Sequence, residues 1–179
     1  IKITYPEDLE IAENLLKGPA LQRDLSFRFK AAEREVKAKG GDIRVGIGFD
    51  VHRMVKTKKL LVLGGLAIKS VFGLDAVSDG DVVLHAISDS LCGACCLGDI
   101  GDYFPPSAKK SQDINSKKII GLILNKAKKN FIIENLDIII LAEKPRLAAY
   151  KSAMSKSLSQ ILSDVDINIK IKSKEGLDI

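Results

Sequence analysis

The residues that could do chemistry lie in two short stretches, and both of the chain's histidines are among them. The first stretch, residues 46–52, reads GIGFDVH, so apolar residues alternate with glycine, aspartate and histidine. This period of two predicts a strand that carries Asp50 and His52 on one side. The glycines on the same side leave room for a close approach to the backbone.

The second stretch, residues 78–89, predicts the start of a helix. Ser78 is the expected N-cap, and the carboxylate of Asp81 suits the positive end of the helix dipole. Four-residue spacing places Asp81, His85 and Asp89 on one stripe of this helix. Asp89 is therefore expected to orient the His85 ring from behind.

One carboxylate and two imidazoles form a ligand set that suits zinc. Asp50, His52 and His85 would leave the fourth position of a tetrahedral ion open to water or substrate. On spacing alone, however, a surface Asp-x-His and a satisfied core histidine explain these residues equally well, because short motifs often match by chance.

Three longer motifs occur together and in a fixed order. They are GFDVH at residues 48–52, SDGDVVLHAISDSLCGA at 78–94 and LGDIGDYFPPS at 97–107. These motifs resemble the 2-C-methyl-D-erythritol 2,4-cyclodiphosphate synthases, the zinc-dependent cyclising enzymes of the non-mevalonate isoprenoid pathway. The resemblance runs from about residue 43 to the end of the chain.

The resemblance implies a specific reaction and two metal sites. The substrate would be 4-diphosphocytidyl-2-C-methyl-D-erythritol 2-phosphate, whose 2-phosphate attacks the β-phosphorus, closes the cyclic 2,4-diphosphate and expels CMP. The implied zinc ligands are Asp50, His52 and His85. Glu175 would hold a second divalent ion, magnesium or manganese. Ser173 is implied as a further catalytic residue beside these four.

The resemblance also implies a set of substrate contacts. A phosphate would lie at the expected helix start, methylerythritol in the turn after that helix, and cytidine and diphosphate near the last two strands. The implied contacts are Ser78, Asp89, Asp99, Ile100, Gly101, Phe104, Ala142, Pro145, Arg146, Leu147, Lys172 and Ser173. The family has a histidine where this chain has Val77, so one imidazole that faces phosphate is expected to be missing.

The fold that the resemblance implies is α/β (α+β), with helices on one face of a mixed sheet. It further implies a homotrimer with each site between neighbouring subunits. Periodicity and turn residues predict the individual elements. These are strands at 45–51, 136–142 and 165–171, a hairpin around Gly64 and Gly65, helices at 78–97 and 116–130 and from Pro145, and a loop at 70–77.

The first 42 residues are predicted to lie outside this domain. Residues 1–18 resemble the closing segment of a 4-diphosphocytidyl-methylerythritol cytidylyltransferase, and residues 19–42 are a charge-rich linker that ends in Gly-Gly-Asp. We therefore expect a fragment of a fused, bifunctional enzyme with its synthase domain at 43–179. The family continues past Ile179, so this domain is expected to be truncated at its C-terminus.

The composition of the chain indicates which kinds of ligand to expect. The net charge is +5, but the lysine runs at 56–59, 109–110 and 126–129 are scattered and have no aromatic residues between them. We therefore expect a phosphorylated small molecule and no nucleic acid. No apolar run is long enough for a membrane span. No targeting segment is visible, and the start of the chain does not indicate a compartment; the location expected for the family is the bacterial cytoplasm or a plastid.

Three other interpretations bear on function. The cysteines at 92, 95 and 96 contain a C-x-x-C spacing, which can indicate zinc or redox chemistry, but a second pair is missing and helix packing explains them better. A metallophosphoesterase would need more than two histidines for its bimetallic site. A catalytically weak trimeric scaffold domain of a bifunctional enzyme stays open as an alternative.

Overall fold

The structure is a computed structural model that describes residues 43–163, 165–173 and 175. The predicted cytidylyltransferase remnant at 1–18 and linker at 19–42 lie outside the described residues, as do residues 176–179. The strands pair two by two: β1 (Met54–Lys56) with β4 (Phe72–Leu74), β2 (Leu61–Leu63) with β3 (Leu66–Ile68), and β5 (Asn135–Leu141) with β6 (Asp166–Lys172).

Four α-helices lie among these strands in the described part of the chain. They are α1 (Val82–Cys95), α2 (Ile100–Tyr103), α3 (Ser116–Ala127) and α4 (Lys151–Leu162), with short 3₁₀ turns at Lys109–Ser111 and Leu147–Tyr150. Within the described residues, none of these helices combines the length and the apolar character that a membrane crossing requires.

The predicted mixed α/β architecture is confirmed, but a single continuous sheet is not formed among the described residues. β1–β4 and β2–β3 are antiparallel and β5–β6 is parallel, and no ladder joins the three pairs. The predicted strand at 45–51 is also wrong. This segment is pressed onto α1 through its glycines and, among the described residues, pairs with no strand.

The apolar stripes of α1, α3 and α4 build the core together with one face of β5 and β6. All five residues predicted to face inward on α3 are buried: Ile119, Ile120, Ile123, Leu124 and Ala127. β5 differs from its prediction as a strand covered on both faces. Leu136 and Ile140 are buried, whereas Ile139 and Leu141 are exposed on the other face, because the helices pack on one side only.

The predicted hairpin around Gly64 and Gly65 is confirmed, and it determines how α1 begins. Both glycines have positive φ, +59° and +74°, as a two-residue hairpin turn requires. Their N–H groups donate to the two carboxylate oxygens of Asp81 at 2.8 and 2.6 Å. Asp81 also accepts from Leu84 N at 3.1 Å. Asp81 is therefore the N-cap of α1, and the prediction that Ser78 caps this helix is wrong.

Further boundaries also differ from their predictions. The helix expected from Pro145 begins at Lys151, after a 3₁₀ turn, and the helix expected at 116–130 ends at Ala127. The expected loop at 70–77 contains β4, because Phe72–Leu74 pairs with β1. Helix α1 ends at Cys95, before the expected boundary near Leu97, because Cys96 takes a left-handed conformation that stops the helix. All three cysteines are free, and burial raises the pKa of Cys92 to about 11, which fits the predicted packing role.

Candidate metal centre

Residues 43–53 lie along α1, with one side of the segment exposed and the other side packed against the helix. The predicted alternation is confirmed, because Ile47 is 88% and Phe49 is 76% exposed, whereas Asp50 and His52 are half-buried. The glycine side of the segment touches the helix backbone directly. A Cβ at Gly48 would lie 1.8 Å from the Ala86 carbonyl oxygen. Only glycine permits this approach, which carries Asp50 and His52 to the helix that holds His85.

Asp50, His52 and His85 converge on one point. Asp50 Oδ2 lies 2.9 Å from His85 Nδ1 and 3.4 Å from His52 Nε2. One ligand atom from each residue falls within 4.8 Å of the others, and no other such group of three is found among the described residues. Two nitrogens and one carboxylate oxygen fit zinc and leave a coordination position open.

The other ring nitrogen of each histidine has a partner that fixes the ring. His52 Nδ1 lies 3.0 Å from the carbonyl oxygen of Asp75, which can only accept, so Nδ1 carries the proton and Nε2 presents its lone pair. His85 Nε2 lies 2.8 Å from Ser116 Oγ and 3.4 Å from Ser78 Oγ. In both imidazoles the ring nitrogen that faces away from Asp50 or the metal position has a protein partner, as is usual for metal-binding histidines.

The structure corrects the role predicted for Asp89. Its carboxylate accepts a hydrogen bond from Ile100 N at 2.9 Å and so ties α1 to the turn before α2. The nitrogens of His85 face Asp50 and Ser116 instead. Ser116 was missed by sequence reasoning, because as the first residue of α3 it gives no local sign that it contacts His85.

Burial and charge act on the two carboxylates near this centre. Partial burial favours the neutral form of Asp50, but its contacts with the His85 and His52 side chains and with the N–H of Val51 outweigh this effect, so the pKa of Asp50 is lowered. Burial raises the pKa of Asp89, and the Ile100 hydrogen bond opposes that rise only in part. Asp50 is therefore the carboxylate that is readier to be an anion and a metal ligand.

The predicted methylerythritol turn forms the start of α2. Asp99 caps this helix by accepting from Asp102 N at 3.2 Å, and Asp102 Oδ2 accepts from Asp99 N at 3.3 Å in return. Ile100 and Gly101 follow within the helix, and Phe104 is its C-cap. The Asp89 contact thus joins this turn to the helix that carries His85.

The residues predicted to bind cytidine and diphosphate lie at one edge of β5–β6. Because these strands are parallel, Ala142 and Lys172 meet at their carboxyl ends, where Ala142 N donates to Lys172 O at 3.0 Å. Pro145 follows a cis peptide bond, and Arg146 is exposed. The side chain of Leu147 is only 1% exposed and belongs to the core.

Three predicted residues lie outside these groups. Ser173 and Glu175 follow β6, are exposed, and are linked by a hydrogen bond from the Ser173 hydroxyl to Glu175 Oε1. Ser78 precedes α1, and its hydroxyl oxygen accepts from Gly80 N at 3.1 Å. The structure thus assigns Ser78 to the rear of the His85 ring rather than to the helix cap.

Comparison with known proteins identifies the family. The YgbB family matches residues 43–179, which include every residue of the metal centre. The chain belongs to the YgbB family. A 2-C-methyl-D-erythritol 2,4-cyclodiphosphate synthase of Clostridium botulinum (strain Eklund 17B / Type B) is 47% identical over 138 residues, which make up 75% of this chain and 87% of that relative.

Solved structures support membership of the YgbB family. A 2C-methyl-D-erythritol-2,4-cyclodiphosphate synthase in a CDP-bound form has a TM-score of 0.70 at 30% identity, over 75% of this chain and 91% of that one. The bifunctional IspDF of Campylobacter jejuni has a TM-score of 0.71 at 36% identity, over 76% of this chain and 37% of that one. A YgbB-like domain therefore occurs within a fused protein.

Proposed function

We propose that this chain forms 2-C-methyl-D-erythritol 2,4-cyclodiphosphate at the centre built from Asp50, His52 and His85. Family membership assigns it a lyase-type cyclodiphosphate synthase activity in the isoprenoid pathway. The observation that carries the proposed site is the convergence of three ligand atoms within 4.8 Å. The substrate is 4-diphosphocytidyl-2-C-methyl-D-erythritol 2-phosphate, and CMP is the leaving group.

The main obstacles to this reaction are repulsion between two phosphates and the entropy of bringing them together. Zinc held by Asp50, His52 and His85 would neutralise phosphoryl charge at the reacting atoms. The resemblance to the family assigns Ser78 to phosphate binding, where its hydroxyl would donate a hydrogen bond to a phosphate oxygen. Alignment of the two phosphates would lower the entropic part of the barrier, and no covalent protein intermediate is needed.

The remaining predicted residues would position the two ends of the substrate. Asp99 would accept sugar hydroxyls beside Ile100 and Gly101, since its second carboxylate oxygen is not used in the α2 cap. The cytidine would lie at the carboxyl ends of β5 and β6, against Ala142 and Pro145 to Leu147, where Lys172 adds positive charge. Glu175, oriented by Ser173, would hold magnesium or manganese against the diphosphate.

Product analysis tests this function directly. Purified protein that is supplied with zinc, magnesium and the cytidine diphosphate substrate is expected to release CMP and a cyclic diphosphate in equal amounts. Phosphorus NMR identifies the cyclic product, and chromatography quantifies CMP. Release of CMP without the cyclic product would indicate hydrolysis, and release of neither from folded, metal-loaded protein would favour the scaffold alternative.

We also propose that three copies of the chain assemble around the outer face of residues 43–51. Val45, Ile47, Phe49 and Val51 point outward along this segment and are largely exposed in the single chain. A contiguous apolar row of this kind is expensive in water and usually marks an interface. Because Asp50 and His52 alternate with these residues, assembly would also fix the backbone that carries the metal ligands.

Ile47→Glu tests this interface. A carboxylate in the middle of the apolar row would be buried without a partner, so we expect the variant to sediment as a monomer while wild type sediments as a trimer. Val71→Glu is the matched control, because Val71 is 70% exposed and lies outside the row. A trimeric Ile47→Glu protein, or equal dissociation of both variants, would contradict the proposed interface.

A further inference from the structure

The ring nitrogen of His85 that faces away from Asp50 is enclosed by protein. Nε2 lies 2.8 Å from Ser116 Oγ, and the Ser116 residue is fully buried with 0% exposure. Ser78 Oγ lies farther away, at 3.4 Å, and already accepts from Gly80 N. Ser116 is therefore the principal partner of this nitrogen, although it belongs to a different helix.

Asp79 holds Ser116 at two points. The Ser116 hydroxyl donates to Asp79 Oδ1, and Ser116 N donates to Asp79 Oδ2 at 2.9 Å. Asp79 is fixed in turn, because its Oδ1 accepts from Asp81 N at 3.2 Å and its own N–H donates to Ile114 O at 3.1 Å. The carboxylate thus joins the loop before α1 to the start of α3, directly behind the His85 ring.

Capping of α3 does not account for the Ser116 hydroxyl. Asn115 is the N-cap, and its side chain accepts from Lys117 N at 2.9 Å. Asp79 satisfies the backbone N–H of Ser116, which a helix start leaves without an intrahelical partner. The Ser116 hydroxyl takes no part in capping the helix, and it lies between the Asp79 carboxylate and the His85 imidazole.

The proton arrangement follows from the donors and acceptors. A carboxylate only accepts, so the single hydroxyl proton of Ser116 is directed to Asp79, and the lone pairs of the hydroxyl remain for His85. His85 must then carry its proton on Nε2. Nδ1, which lies 2.9 Å from Asp50 Oδ2, would then be the nitrogen that binds the metal.

We propose that Asp79 and Ser116 are positioning residues that hold His85 as the Nε2-protonated tautomer and so prepare Nδ1 for the metal. This inference rests on the proposed zinc centre. Partners of this kind, placed behind a metal ligand, typically change metal affinity by about 10- to 100-fold. Neither residue needs to touch the substrate.

Two substitutions separate this role from simple packing. Ser116→Ala removes the acceptor of the His85 proton. Asp79→Asn keeps the shape of the side chain, but one of its two acceptor atoms becomes an NH2 group, so it can no longer accept from both the hydroxyl and the backbone N–H of Ser116, and Ser116 is held less firmly behind His85. Ser111→Ala is the matched control, because Ser111 is buried and its hydroxyl has no partner within the described part of the chain.

The measurement is zinc affinity, obtained by competition with a chelator, together with the visible spectrum of cobalt-substituted protein. We expect zinc to bind about 10- to 100-fold more weakly to Ser116→Ala and Asp79→Asn than to Ser111→Ala, with altered cobalt bands. Thermal unfolding of metal-free protein shows whether each variant folds. If Ser116→Ala does not fold, the shape-conserving Asp79→Asn decides the question.

Wild-type zinc affinity and an unchanged cobalt spectrum in a folded Ser116→Ala or Asp79→Asn protein would overturn this proposal. Failure of the wild-type protein to bind zinc at all is a different result, since it would remove the proposed metal centre on which the inference depends. Product analysis is not required for either conclusion, so the two failures can be told apart.

Discussion

Asp50→Asn is expected to lose its zinc and to lower kcat/KM by on the order of 10³-fold or more. Asp50 Oδ2 is the atom that faces both histidines, at 2.9 Å from His85 Nδ1 and 3.4 Å from His52 Nε2. The amide has the same shape but carries no negative charge to hold a cation between the rings. Elemental analysis of the purified variant measures the zinc, and CMP release measures the activity.

Asp113→Asn is the matched control for this substitution. The side chain of Asp113 is 87% exposed, and its Oδ1 lies 4.0 Å from Lys59 Nζ. Its φ of +52° is tolerated by asparagine as well as by aspartate, so the same chemical change should be neutral here. Equal zinc contents in wild type and Asp50→Asn would show that the metal is held elsewhere.

Gly48→Ala is expected to lower the free energy of unfolding by about 3 kcal/mol or more and to abolish tight zinc binding. The added Cβ would lie 1.8 Å from the Ala86 carbonyl oxygen and 2.6 Å from Ser90 N. Both contacts are with helix backbone, which cannot rotate away as a side chain would. The segment must therefore move off α1, and it carries Asp50 and His52 away from His85.

Gly121→Ala tests whether any glycine replacement would have this effect. Gly121 lies within α3, and a Cβ there would meet no atom within 4 Å. Alanine is the better helix former, so the control is expected to gain up to about 1 kcal/mol. Urea denaturation of the two variants gives the comparison. If Gly48→Ala unfolds like wild type, the close approach to α1 does not hold this segment in place.

The parts of the structure that could be predicted depend on local patterns. The alternation in residues 46–52 placed Asp50 and His52 on one side, because side chains of an extended backbone alternate whether or not a neighbouring strand is present. The inward face of α3 followed from its helical spacing. The turn at Gly64 and Gly65 followed from the positive φ values that glycine adopts without strain.

The parts that were predicted wrongly or missed depend on contacts between distant segments. Ser78 and Asp81 are both good capping residues, and the hairpin N–H groups of Gly64 and Gly65 select Asp81. Ser116 meets His85 across 31 positions, a contact that no local pattern encodes. The open face of β5 likewise depends on where the helices pack, which its apolar sequence does not specify.

The close fit of Gly46 and Gly48 against α1 has a consequence for insertions and deletions in this stretch. In the part of the chain that the structure describes, this segment has no strand neighbour and hence no ladder to fix its position along the helix, so the two glycines must do so. A slip by one residue would bring Ile47 and Phe49 against the helix backbone, where their side chains cannot fit, and would turn Asp50 and His52 outward. Loss or gain of one residue between Gly46 and His52 should therefore damage the metal centre more than most conservative substitutions there.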